Sequence, residues 1–153
     1  MAKPPTIAGY RAELLNDGGV ATEQVKHANL VGFTCLKAFA YDDRIERKDA
    51  HDLIYCIEYA PHGLDRVTEM FSEALAGKHG AVIQDALAVL RNRFAGDDEI
   101  EGYRKDGPVA VARFELGEDN DPDRREGRLR RQREASDVIE QLLARIGNQA
   151  IRR

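Results

Sequence analysis

Between Leu30 and Phe94 the sequence repeats one arrangement four times: apolar residues at helical spacing, then a glycine, a proline or a polar break. A segment patterned in this way buries one stripe and leaves the rest wet, so four in succession must bury their stripes against one another. The breaks are short, which makes consecutive helices antiparallel neighbours. In the first segment Asn29 suits an N-cap, and Leu30, Phe33, Lys37 and Tyr41, with Val31, Thr34 and Ala38 beside them, follow the helical period. The second runs from Lys48 to Tyr59, with Leu53, Ile54, Cys56 and Ile57 as its core residues and Pro61 behind it. Leu64, Val67, Phe71 and Leu75 form the third stripe, closed by Gly77. Val82, Ile83, Ala86, Leu87, Leu90 and Phe94 form the fourth, closed by Gly96. The fold class this predicts is mainly α, a helical bundle.

The flanks are less regular. Near the N-terminus "YRAELLNDGG" has a short helical pattern around Leu14 and Leu15 that stops at Gly18 and Gly19. "VATEQVKHA" then alternates weakly, as a short strand or an extended connector would. Residues 1–28 therefore read as an N-terminal connector and residues 29–153 as a helical domain. Within that domain "DDEIEGYRKDG", near 96–107, is polar and glycine-bearing, as a linker is. "PVAVARFEL" alternates like a strand, but Gly107 and Pro108 also suit a helix start, and a short helix is expected. A last helix is predicted from Pro122 to Ile146, basic in its first half and amphipathic in its second through Ala135, Val138, Ile139, Leu142, Leu143 and Ile146.

At 153 residues the chain matches one ordinary domain, and 42% apolar with 33% charged residues is the composition of a globular protein rather than a disordered one. No apolar run reaches the roughly 18 to 20 residues of a membrane helix. The opening "MAKPPTIAGYRAELL" lacks the apolar core of a signal peptide, so no membrane association and a cytoplasmic location are expected. Cys35 and Cys56 both lie in apolar segments and read as small core residues. His27, His51, His62 and His79 are scattered, without zinc-ligand spacing, so no metal site is expected from them.

Lys37 raises a question of its own, because an ammonium within an apolar stripe must either reach water or find a carboxylate. Candidates follow closely: Asp42, Asp43 and Arg44 after the helix, then Lys48, Asp49 and Asp52 in the next, with Lys48 over Asp52 at i, i+4. Two helices folded back on that turn would bring Lys37 against Asp49 and Asp52. Taken alone, the spacing is also that of a plain helical corner fixed by solvated ion pairs.

The segment "LVGFTCLKAFAYDDRIERKDAHDLIY" resembles bacterial nucleotidyltransferases of the abortive-infection (AbiEii) type, which have a lysine within an apolar helix, then Arg, then Lys-Asp-x-x-Asp. The resemblance covers about residues 25 to 60 specifically and the C-terminal helical part loosely. It implies nucleotide-binding roles for Lys37, Arg44 and Lys48, and catalytic or orienting roles for Asp49 and Asp52. It also implies NTP and Mg²⁺ as cofactors, with RNA or protein as acceptor, and makes residues 1–28 a connector or the remnant of a nucleotidyltransferase core. Such enzymes carry a Gly-Ser turn and a strand with Asp-x-Asp that holds Mg²⁺. This sequence has no Gly-Ser dipeptide, and its Asp-x-Asp patterns, at Asp119, Asp121 and Asp123, lie in a polar stretch after the matching segment. Those acids read as a solvated loop and helix N-terminus. The chain is therefore expected to bind no metal or NTP by itself and to be inactive alone, whether it is a natural short form, one half of a split protein whose partner chain carries the metal-binding half, or a truncated piece of a longer enzyme.

"RREGRLRRQR", six arginines within Arg124 to Arg133, could meet RNA phosphates. Balanced by Glu118, Asp119, Asp121 and Asp123, in a chain of net charge −4, it is read instead as a solvent-facing helix surface with no core to face. The alternative to the nucleotidyltransferase reading is a non-enzymatic helical protein-interaction module.

Overall fold

A computed structural model of the chain describes residues 6–13 and 18–151. It is a mainly α-helical bundle preceded by one antiparallel hairpin. Strand β1 (Thr6–Glu13) pairs with β2 (Val20–His27) in a register that sets Thr6 opposite His27 and Glu13 opposite Val20. The extended reading of "VATEQVKH" is what forms. The helical reading of the segment before it is corrected, since Tyr10 to Glu13 belong to β1; Leu14 and Leu15 lie outside the described residues. A helix of a few residues closes too few hydrogen bonds to offset its nucleation, whereas the ladder to β2 pairs the same backbone groups.

Helix α1 (Leu30–Arg44) starts as expected, with the Gly32 N–H donating to Asn29 Oδ1 at 2.8 Å. Its buried stripe is Val31, Thr34, Cys35, Ala38 and Tyr41, so Leu30, Phe33 and Lys37 stand at the margin of the apolar face rather than at its centre. Helix α2 (Arg47–Glu58) buries Ala50, Leu53, Ile54 and Ile57, leaving Cys56 half-buried. Helix α3 (Gly63–Leu75) is seated by Val67 and Phe71, with Leu64 and Leu75 half-buried. Helix α4 (Gly80–Phe94) is seated by Ile83, Ala86, Leu87, Leu90 and Phe94. Val82 departs from its expected core place, being 52% exposed. Helix α5 (Asp106–Leu116) has Pro108 in its first turn, where a missing N–H leaves no bond unmade. Helix α6 (Pro122–Ile151) is longer than its apolar pattern suggested. Its Ala135, Ile139 and Leu142 are fully buried in the cluster formed with Phe71, Leu90, Val111 and their neighbours. No helix among the described residues is long and apolar enough to cross a membrane.

The stretch near 96–107 is fastened to α6. A 3₁₀ turn spans Gly102–Arg104, the Ser136 hydroxyl donates to Phe94 O at 2.8 Å, and the Gly96 N–H donates to Glu140 Oε1 at 2.8 Å. Gly102 is buried where backbone and side chains meet. A Cβ there would overlap Ser136 Oγ and stand 2.7 Å from Glu140 Oε1 and 2.8 Å from Gly96 N, whereas a Cβ on Gly147, in α6, would meet nothing within 4 Å. Gly102→Ala should therefore destabilise the bundle by about 1–3 kcal/mol, as overpacking does. Gly147→Ala should stabilise it by up to about 1 kcal/mol through helix propensity. Urea denaturation of the two variants checks both the sign and the contrast.

Candidate functional site

The turn between α1 and α2 consists of Ile45 and Glu46 alone. Ile45 adopts a left-handed backbone (φ 54°) and its N–H donates to Tyr41 O at 2.8 Å, closing α1. For a β-branched residue this conformation costs about 1–2 kcal/mol, and it turns the chain sharply enough to lay α2 back along α1. Asp49 then falls in the first turn of α2, where the helix dipole favours an anion.

That reversal brings all five residues singled out by the motif together. The Lys37 ammonium lies 2.8 Å from Asp49 Oδ1 and 2.8 Å from Asp52 Oδ2. Arg44 approaches the other Asp49 oxygen, with Nε and Nη2 each at 2.7 Å, and Lys48 Nζ lies 2.7 Å from Asp52 Oδ2. Exposure is graded across the cluster: the Asp49 side chain is 3% exposed, Lys37 21%, Arg44 58% and Lys48 67%. The ammonium also stands 5.7 Å from the Phe33 ring centroid.

Charge state follows from these contacts. The Arg44 hydrogen bond holds the Asp49 carboxyl below the usual carboxylate range; burial works against that, and the Lys37 hydrogen bond adds to it. At Asp52 burial pushes upward, but hydrogen bonds from Lys37 and Lys48 outweigh it, and the carboxyl is lowered. Hydrogen bonds to Asp49 and then Asp52 raise Lys37 against the opposing effect of burial. Asp49 and Asp52 are therefore ionised at neutral pH with Lys37 charged between them, and the corner sets three basic side chains over two carboxylates.

These residues do not fit a Mg²⁺ site. The two carboxylates share an ammonium that stands where a bridging cation would have to be, and among the described residues no group of three or more His, Cys, Asp or Glu side chains is placed to hold a metal ion. The corner can instead present cations outward. Arg44 and Lys48, both exposed, have N–H donors left for an anion from solvent, while Lys37 is held between its two partners.

The arginine-rich start of α6 is not the uniformly solvated face expected of it. Arg131 is 14% exposed and joins three helices: Nη1 and Nη2 donate to the two Glu58 oxygens of α2 at 2.7 and 2.9 Å, and Nε donates to Glu115 Oε2 of α5 at 2.6 Å. Arg128, also 14% exposed, and Arg124 both reach Asp119. Residues 128 and 131 continue the face of Ala135 and Val138 at three- and four-residue steps, so the buried side of α6 begins about two turns earlier than its apolar residues do. Arg124, Arg125, Arg130 and Arg133 remain exposed, as expected. The Asp-x-Asp acids serve locally, with Asp121 Oδ1 accepting from the Asp123 N–H at 3.0 Å. His51 and Glu115, missed from sequence, complete this network at 3.0 Å, the His51 ring stacking on Phe114 with centroids 4.6 Å apart.

In comparisons with protein-family models, curated proteins and solved structures, nothing matches this chain.

Two predictions follow from the ion pairs. Lys37→Met leaves Asp49 with Arg44 and Asp52 with Lys48 but takes the hydrogen bond from Asp49 Oδ1, and should cost about 1–2 kcal/mol; Asp49→Ala with Asp52→Ala strands the ammonium and should cost about 3–5 kcal/mol. Because both carboxyls are lowered from an ordinary value of 3.8, the stability they add is complete above that value and is lost as pH falls through and below it. Lys37, raised from 10.5, contributes up to that pH and loses its contribution only above it. Urea denaturation from pH 3 to 8 should show the gap between the native chain and Asp49→Asn/Asp52→Asn steady at neutral pH and closing below about pH 4. For the arginine network, Arg131→Gln should cost about 2–3 kcal/mol by leaving Glu58 and Glu115 facing one another, and Arg130→Gln less than about 0.5 kcal/mol. Thermal or urea melts of the pair check the difference.

Proposed function

We propose that this chain is the helical, phosphate-contacting part of a nucleotidyltransferase-like protein of toxin–antitoxin or phage-defence type, acting in the cytoplasm on an NTP with RNA or protein as acceptor. The observation that supports this reading is the convergence of Lys37, Arg44, Lys48, Asp49 and Asp52, the residues of the family-like motif, into one network at the reversal between α1 and α2. In this reading Asp49 and Asp52 are orienting groups. They fix Lys37 and aim Arg44 and Lys48, whose exposed cations meet the triphosphate, and phosphoryl chemistry gains most from such positioning and charge. The carboxylates that would hold Mg²⁺ come from another segment or a partner chain, since Asp49 and Asp52 are bridged by an ammonium.

One observation favours a second reading, a non-enzymatic helical interaction module: each cation of the corner already has a carboxylate within 2.8 Å. A nitrogen-15 NMR titration of the chain with ATP and GTP separates the two. The nucleotide reading expects weak, salt-sensitive shifts confined to the end of α1 and the start of α2, abolished in Arg44→Gln/Lys48→Gln with helicity retained. Shifts elsewhere, or none, would assign the corner to the module. The chain alone, given NTP and Mg²⁺ or Mn²⁺, should transfer no nucleotide; robust metal-dependent incorporation that is lost in Lys37→Ala would overturn the need for outside carboxylates.

A further inference from the structure

Helices α1, α3 and α4 line a cavity of about 500 Å³ that is open to solvent on one side, within the roughly 300–1,000 Å³ range of small-molecule sites. Its walls are apolar, with Val31, Cys35 and Phe39 from α1, Met70 from α3 and Ile83 from α4. Cys35 belongs to that wall as a neutral thiol, because burial pushes it up to about 11. At 100° per residue, Gly32, Cys35 and Phe39 lie about 140–160° from Lys37 around α1, so this cavity is separate from the charged corner.

One end of the cavity is lined by Arg66, Glu73 and Lys78, two basic side chains and one acidic. Arg66 on the rim is already held by Glu69 at 3.0 Å and Glu73 at 3.5 Å. Lys78 is exposed and forms no ion pair among the described residues. Beside it, α4 begins without an acidic residue in its first turn and without a side-chain cap from His79. The Gly80 and Ile83 N–H groups donate to Gly77 O and His79 O, each at 3.2 Å, but those of Ala81 and Val82 have no acceptor among the described residues. An apolar cavity of this size, with Lys78 and the open Val82 N–H among its lining residues, complements a molecule with an apolar chain and an anionic head.

We propose that this cavity binds an amphipathic carboxylate, its chain among Val31, Cys35, Phe39, Met70 and Ile83 and its head at Lys78 and the Val82 N–H. The probe is sodium decanoate below its micelle concentration, titrated into the full chain by nitrogen-15 NMR, with decanol as the uncharged control. Saturable one-to-one binding is expected, with shifts at Gly32, Met70 and Ala81 to Ile83, and decanol should bind about tenfold more weakly. Lys78→Gln should weaken decanoate several-fold and leave decanol unchanged. Val82→Glu, at an exposed first-turn position where an acid suits the helix dipole, should abolish decanoate binding without lowering Tm. Equal affinity for decanol and decanoate, or decanoate binding unchanged in Val82→Glu, overturns the assignment. So does a dimer in solution that Val82→Glu dissociates while decanoate fails to bind, since the cavity is then covered by a second copy. None of these outcomes depends on nucleotide binding at Arg44 and Lys48.

Discussion

Asp49 is a carboxylate with 3% of its side chain exposed, and that burial constrains everything built around it. An ionised acid removed from water must have its oxygens hydrogen-bonded and its charge met, or the fold loses several kcal/mol. Lys37 serves one oxygen and Arg44 the other, and the first turn of α2 adds a favourable dipole. Both cations belong to α1, so meeting the demands of Asp49 fixes how closely α1 and α2 run and where they face. The left-handed Ile45 is the cost of that reversal: a β-branched residue held at φ 54° persists only because the helices on either side determine it.

Once α2 is set, its far side organises the other half of the bundle. Glu58 and His51 project toward α5 and α6, where Arg131 binds Glu58 and Glu115 together and His51 stacks on Phe114. Charged groups thus flank the apolar cluster on both sides of α2. The two sites differ in kind. Around Arg131 a single guanidinium satisfies two acids that would otherwise repel one another. Around Asp49 a single acid collects two cations, and Asp52 shares one of them.

The helices from Leu30 to Phe94 were legible because period, cap and stop agreed: Asn29 does cap α1, and Val67, Phe71, Leu90 and Phe94 do form the core. The pairing of Lys37 with Asp49 and Asp52 was legible too, since the corner between them is short and its two partners sit in the first and second turns of α2. What failed depended on distant partners. Tyr10 to Glu13 look helical until β2 is there to pair with them, a contact no local pattern encodes. Arg131 looks solvated until Glu58, 73 residues earlier, arrives beside it. Gly102 reads as a linker residue, yet it is glycine because Ser136 and Glu140 leave no room for a Cβ.

The gradation of exposure at the α1–α2 corner divides its five charges into fixed and exchangeable parts. Asp49 and Lys37 are largely withdrawn from water and are held by each other and by one further partner each, Arg44 for the acid and Asp52 for the ammonium. Arg44 and Lys48 hold their acids from the solvent side, where ion pairs are weak and screened and an incoming anion can compete for the same donors. An anion arriving at this corner therefore meets Arg44 and Lys48 first. Drawing them outward leaves Asp49 and Asp52 still joined through Lys37. That bridging ammonium allows the corner to exchange its outer contacts while the reversal between the helices stays in place.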